Sequence, residues 1–226
     1  MLISSEAYSE IKERIINLKL KPGHIFTESE ISKELNLGKT PIREALKRLE
    51  QEDFVVSIPY KGYQVTETTK HFVEELFEFR MLIECYISKQ LADKIKAGNK
   101  KIYKKVLNLF KNIDKAEYLF DNNKKGAVKI NTNFHFNLIR LVNNETITRS
   151  MSRLSGHLLR AQNISSLAPK RTKKSFLEHR KILTKIAEGK GSMAQKYTQR
   201  HILNVKNDIF SQLGISAKGW EYRRSS

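Results

Sequence analysis

The chain has 226 residues, 39% hydrophobic and 29% charged, enough apolar material for one large or two smaller folded domains. No stretch reaches the roughly 18 to 20 uninterrupted apolar residues of a membrane helix. The opening MLISSEAYSE lacks a signal-peptide plan, and Cys85, the one cysteine, cannot form an internal disulfide. These features exclude a membrane partner, place the protein in the cytoplasm and make Cys85 a packing residue. The net charge of +18 suggests a polyanionic partner such as nucleic acid. Residues 1–66, however, hold 10 basic and 10 acidic side chains, and residues 67–226 hold 32 and 14. With 29 lysines to 13 arginines, this excess reads more readily as solvated helix faces than as a binding surface.

In chain order, AYSEIKERIINLKL places Tyr8, Ile11, Ile15 and Leu18 at helical spacing and ends at Pro22-Gly23. A second helix starts at TESEISKEL, where Thr27 and Glu30 have capping-box spacing and Ile31 and Leu35 share a face. It stops at NLGK. A third begins at Thr40-Pro41, where proline is tolerated because its missing N–H would have been unpaired anyway. Ile42, Ala45, Leu46 and Leu49 then recur at i, i+3, i+4 and i+7. In FVVSIPYKGYQVTE two strand-like runs flank Pro59-Tyr60-Lys61-Gly62, which predicts a hairpin.

Three short helices, a tight turn between the second and third, and a hairpin form the plan of a winged helix-turn-helix. Lys39, Arg43 and Lys47 stay on the outward face of helix three, near the end that enters a major groove. Arginine there can bond guanine bidentately, lysine can contact guanine or phosphate, and Thr40 can reach a phosphate or a base edge. Lys61-Gly62 suits a wing that approaches the backbone closely. The bland alternative is that Arg43 and Lys47 solvate an amphipathic helix and pair with Glu44 and Glu50.

From residue 70 onward six apolar-periodic segments predict one α-helical bundle over residues 70–214, after a linker at 67–69 and before a loosely held tail at 215–226. Three of its histidines fall on inward faces. His135 shares a stripe with Asn131 and Leu138, His179 with Ile182, Leu183 and Ile186, and His201 with Ala194, Tyr197 and Val205. Asn131 and His135, four residues apart, can point at one spot. Three converging imidazoles would suit zinc, nickel or another divalent transition metal. Spacing alone equally fits three separate core histidines.

LNLGKTPIREALKRLEQEDFV followed by KGYQV closely resembles the GntR family of bacterial transcription regulators. Its usual form is a leucine-glycine-valine turn, S-R-T-P-V-R-E-A-L, a leucine-rich stretch and a wing with a basic residue, glycine and an aromatic. Here Gly38 stands for the usual serine and Lys39 for the usual arginine. The resemblance implies DNA contacts by Lys39, Thr40, Arg43, Lys61 and Gly62. It adds Ser29, where relatives often carry a phosphate-holding arginine, and it implies a homodimer on an inverted repeat of double-stranded DNA.

RMLIE (80–84), NTNFH (131–135), EHRKIL (178–183) and RHI (200–202) resemble the FCD (FadR C-terminal domain) branch of that family. There D-x-x-F-H, E-H-x-x-I-L and a third histidine supply a metal site. The resemblance implies a divalent metal on His135, His179, His201 and Asn131, with Asn131 in place of the usual aspartate. It also implies a small carboxylate effector held by the metal and a basic residue, for which Arg80, Arg140 and Arg160 are candidates. Arg80 could instead form an ordinary ion pair with Glu84, four residues on.

The expected architecture is therefore mostly α: an N-terminal winged helix-turn-helix followed by an all-α, FCD-like bundle. The expected function is a DNA-binding repressor that senses a small organic acid. A metal-dependent hydrolase built on the three histidines is the competing reading. It lacks H-E-x-x-H, a nucleophile elbow and a phosphate loop, and Glu178 points about 100° away from its neighbour His179 on a helix. A third reading is a nucleic-acid-binding protein with no ligand.

Overall fold

A computed structural model describes residues 2–164 and 168–212. Among these, residues 2–69 and 155–164 form one compact unit, and residues 70–154 and 168–212 form a second. The tail expected at 215–226 lies outside the described residues.

The first unit runs α1 (Leu2–Ile16), β1 (Ile25–Phe26), α2 (Glu28–Leu35), α3 (Lys39–Gln51), β2 (Val55–Ile58) and β3 (Gly62–Val65). Helix α1 starts earlier and stops earlier than periodicity predicts. Leu18 takes a left-handed φ of 60°, and the N–H groups of Lys19 and Leu20 turn back to the Arg14 carbonyl. The capping box of α2 forms as expected: the Thr27 hydroxyl accepts from Glu30 N, and the Glu30 carboxylate accepts from Thr27 N at 2.7 Å. Helix α3 begins at Lys39 behind Gly38, which has no side chain to cap it.

Ile11, Ile15, Ile31, Ile42, Leu46, Leu49 and Phe54 fill the core of this unit. The hairpin pairs Val55 with Val65 and Ile58 with Gly62, and β1 adds a third strand, giving the order β1-β3-β2. Two residues are too few for any periodicity, so sequence reading missed β1.

The second unit contains α4 (Lys70–Lys96), α5 (Lys100–Leu119), α6 (Lys124–Arg140), the first half of α7 (Glu145–Ile164), α8 (Ala168–Ala187) and α9 (Gly191–Gln212). These are the six helices that periodicity predicts. Helix α4 packs against α5, α6, α8 and α9 around Ile87, Leu91, Val106, Leu138, Ile182, Leu183 and Ile186. The second half of α7, Ser155–Ile164, groups with the first unit, although its pattern continues that of the bundle. Cys85 is buried on α4, and burial pushes its thiol up to about 11, so it packs as a neutral group. Arg80, Glu84, His179 and His201 are each no more than 2% exposed. Charged and polar groups at that depth need partners; Arg80, Glu84 and His201 have theirs, and among the described residues His179 is satisfied on one nitrogen only.

Candidate nucleic-acid interface and metal centre

Lys39, Thr40, Arg43 and Lys47 are exposed on α3, opposite the buried Ile42, Ala45, Leu46 and Leu49. Arg43 donates from Nε (3.0 Å) and a terminal nitrogen (2.9 Å) to the Glu28 carboxylate on α2, which raises its pKa. The partner is therefore Glu28, not Glu44 or Glu50; Glu50 accepts instead from the Ser57 amide at 2.9 Å. Among the described residues Lys39 and Lys47 make no ion pair. Ser29 is exposed in the first turn of α2.

On the wing, Lys61 is exposed beside Tyr60, which has a φ of 62° and stands fully in solvent. Gly62 has a φ of 105° and lies against the backbone of β1. A Cβ at Gly62 would overlap the Phe26 carbonyl oxygen and stand 3.2 Å from Thr27 Cα. Glycine is thus required there by the β1–β3 approach as well as suited to a close ligand backbone.

In the second unit, α6, α8 and α9 bring His135, His179 and His201 together. Their Nε2 atoms form a triangle: 3.0 Å between His135 and His201, and 3.2 Å from His179 to each of the others. Two of the three imidazoles are anchored at their far nitrogens. His135 Nδ1 lies 2.5 Å from Glu84 on α4, whose other oxygen accepts from Arg80 Nε at 2.7 Å. His201 Nδ1 lies 2.7 Å from Glu178 on α8, which also accepts from Arg171 (2.5 Å) and Asn204 (2.8 Å). Arg171 pairs further with Asp208 at 2.8 Å.

His179 is held differently. Its ring stacks on Phe134 with centroids 3.8 Å apart and planes 12° apart. Among the described residues its Nδ1 is buried without a hydrogen-bond partner, as is Oδ1 of Asn131. Both residues line a cavity of about 10 Å³ with Leu109, Phe134 and Phe176, room for about one water molecule.

Burial lowers all three histidine pKa values, His179 well below its usual value and His201 to about 4, despite the carboxylate beside His201. Burial alone would raise Glu84 and Glu178. The neighbouring Arg80 and His135 hold Glu84 far below the carboxylate range, and His201 and Arg171 hold Glu178 at about 2. The imidazoles are therefore neutral and the carboxylates ionised at neutral pH.

That assignment fixes the tautomers. A carboxylate only accepts, so His135 and His201 must each carry their proton on Nδ1 and present a bare lone pair at Nε2. Two lone pairs then face each other at 3.0 Å, a contact that no hydrogen bond between them explains. Nitrogens each about 2.1 Å from one cation stand about 3.0 Å apart at a right angle and about 3.4 Å apart in a tetrahedron. The triangle fits one face of such a shell. The ligand atoms are those of a site that can hold a metal ion.

The sequence matches the FCD domain over residues 75–204 and the bacterial regulatory proteins of the gntR family over residues 3–65. The chain belongs to the GntR family of bacterial transcriptional regulators. It is 21% identical over 196 residues to YdhC, an uncharacterized HTH-type transcriptional regulator of Bacillus subtilis (strain 168), covering 86% of this chain and 85% of that protein. A GntR transcriptional regulator from Rhodococcus sp. RHA1 shares the fold with a TM-score of 0.74 at 18% identity, covering 93% of this chain and 99% of that one. A metal-free FCD domain of another transcriptional regulator superposes with a TM-score of 0.52 at 19% identity, covering 66% of this chain and 99% of that domain.

GntR regulators bind DNA, and FCD domains bind small-molecule effectors and often a metal. The GntR family consists of transcriptional regulators and not enzymes, which sets the hydrolase reading aside. Among the described residues no helix is long and apolar enough to cross a membrane.

The three candidate effector arginines occupy different places. Arg80 is buried and joined through Glu84 to His135. Arg140 is exposed, lies over the Phe136 ring at 4.7 Å and lines an open groove with Asn143, Asn144, Glu145, Thr148 and Arg149. Arg160 belongs to the first unit, where it donates to the Thr66 hydroxyl and carbonyl. Sequence reasoning treated Glu84 only as the partner of Arg80 and judged Glu178 badly placed to share the site. Glu178 does point away from His179, but the direction that takes it away brings it to His201 on the next helix. The adjacent pair Glu178-His179 was the available signal, and reading it required knowing where α9 runs.

Proposed function

We propose that this GntR regulator is a cytoplasmic repressor that binds an inverted-repeat operator in double-stranded DNA as a homodimer and releases it on binding a small organic acid. Lys39, Thr40, Arg43 and Lys47 read the major groove, while Ser29, Lys61 and Gly62 contact the phosphate backbone and its grooves. One recognition helix per chain makes a two-fold pair the natural reader of two half-sites. Residues 1–66 carry this DNA-reading role, and residues 70–214 carry effector binding.

The effector domain holds a divalent transition ion, zinc or nickel, on His135, His179 and His201, with the amide oxygen of Asn131 as a neutral fourth ligand. The observation that carries this reading is the triangle of three Nε2 atoms 3.0 to 3.2 Å apart, with the far nitrogens of His135 and His201 held by carboxylates. The unpartnered Asn131 Oδ1 supports it, being a buried acceptor with no donor among the described residues. Such an ion would polarise and hold a carboxylate at its remaining positions. We assign the supporting basic residue to Arg80, because of these three candidates it is the one bonded, through Glu84, to a histidine of the cluster.

Metal content by mass spectrometry, followed by thermal unfolding with and without chelator and with a panel of small carboxylates, tests the reading. About one ion per chain is expected, with a chelator-sensitive rise in Tm and a carboxylate that shifts Tm only when metal is present. At free metal about 100 times Kd, the stabilisation is about 2.7 kcal/mol. Failure to take up zinc, nickel or cobalt on titration would overturn the metal reading. A carboxylate shift that survives the chelator would overturn the ion's part in sensing.

A further inference from the structure

We propose that Glu84 and Glu178 are positioning residues for metal binding, each selecting the tautomer and fixing the ring of one histidine, and that His179 is positioned by stacking instead. This rests on the metal reading above and specifies how the apo chain prepares its site.

Each carboxylate is itself fixed. Glu84 is 1% exposed and clamped by Arg80 from one turn earlier on the same helix. Glu178 is held by Arg171, two turns earlier on the same helix α8, and by Asn204 on α9. A carboxylate accepting from Nδ1–H excludes the tautomer that would place the proton on Nε2, where the ion must bind. It also increases the electron density the ring can donate, because the proton is partly drawn toward the acceptor.

The third imidazole has no such acceptor among the described residues. His179 Nδ1 is buried and unpartnered there, and its ring lies flat against Phe134 of α6, with centroids 3.8 Å apart, while His135 and His201 meet it edge-on. The three ligands are therefore unequal. His135 and His201 are preset by the hydrogen bonds they donate to carboxylates, and His179 keeps a free choice of tautomer until a cation settles it.

The same geometry explains why Arg171 and Asp208 matter to a site they do not touch. Arg171 bridges Glu178 and Asp208, so the ion pair carries the orientation of His201 back to the start of α8. Without Arg171, Glu178 would lose one of the donors that hold its carboxylate in place against His201 Nδ1.

The test uses metal-stripped full-length protein and Co²⁺ as the probe, with affinity read by chelator competition and ligand geometry read from the visible spectrum of the bound ion. Glu178→Ala is expected to weaken Co²⁺ binding about 10- to 100-fold and to change the spectrum. Glu178→Gln, which retains an oxygen to accept from Nδ1–H, should recover part of that loss, and Glu84→Gln should behave likewise at His135. The unfolding midpoint of each apo variant is measured alongside, because loss of a purely structural ion pair would lower that midpoint and leave affinity and spectrum unchanged. If Glu178→Ala fails to fold, the two glutamine variants decide, with weaker Co²⁺ binding and an altered spectrum expected in both. Affinity and spectrum equal to wild type in the folded variants would overturn the proposal. Wild-type protein that binds no Co²⁺ would overturn the metal reading itself, and this inference with it.

Discussion

Gly62→Ala separates what the wing glycine does for the fold from what it does for DNA. At a φ of 105° the residue lies well beyond the left-handed well near +57°, where an L side chain costs about 1 to 3 kcal/mol. The added Cβ also overlaps the Phe26 carbonyl oxygen, so β1 must withdraw from β3. That loosens the Ile25–Gln64 and Phe26–Tyr63 pairings, whose hydrogen bonds contribute about 1 kcal/mol each. The sum is about 3 to 5 kcal/mol, concentrated in one strand. Hydrogen exchange read by mass spectrometry is the matching assay, because Val65 N donates to His24 O and Gly23 N donates to Val65 O, both at 2.9 Å. Protection in peptides covering these residues should fall by about 100-fold or more, since each 1.4 kcal/mol is a factor of ten. Lys61→Ala, one residue away on an exposed side chain, should leave that protection unchanged while lowering operator affinity and reducing its salt slope by about 1. Unchanged protection in Gly62→Ala would refute the argument that β1 dictates glycine at this position.

The remaining predictions concern the first unit. Arg43→Ala should weaken specific operator binding by about 1 to 3 kcal/mol in a mobility-shift titration, with far-UV circular dichroism unchanged; equal affinity would remove Arg43 from the reading face. Glu52 accepts from Tyr8 (2.7 Å) and Lys12 (2.5 Å), and although burial opposes it, these bonds lower its pKa. A carboxylate with a depressed folded-state pKa stabilises the fold above its unfolded value and loses that contribution as pH falls through the folded value. Glu52→Gln should therefore cost about 1 kcal/mol in urea unfolding at pH 7, a difference that shrinks as pH falls below about 4. A gap that is constant from pH 7 to pH 3 would assign the effect to shape and not to charge.

Local rules account for the parts of this protein that sequence alone determined. A capping box acts over three residues, so Thr27 and Glu30 mark the start of α2 without knowledge of anything distant. The stripe Ile42, Ala45, Leu46 and Leu49 fixes which side of α3 is buried and leaves Lys39, Arg43 and Lys47 outside. The six helices of the bundle follow from the same periodicity. Each histidine's inward face was legible in this way too, but periodicity could not say that three inward faces meet. Their separations of 44 and 22 residues carry no distance information until α6, α8 and α9 are packed.

The partners were decided entirely by tertiary structure. Arg43 has two acidic neighbours on its own helix and binds neither; it reaches Glu28 because α2 crosses within range of a long side chain. Strand β1 exists because β3 offers it an unpaired edge, not because two residues prefer to be extended. Glu178 illustrates the limit most clearly: helical geometry correctly turns it away from His179, and the packing of α9 against α8 gives that direction its meaning. A sequence states which way a side chain leaves its own helix. What it meets there depends on the helix that packs alongside, because hydrogen bonds of this length tolerate errors of only a fraction of an ångström.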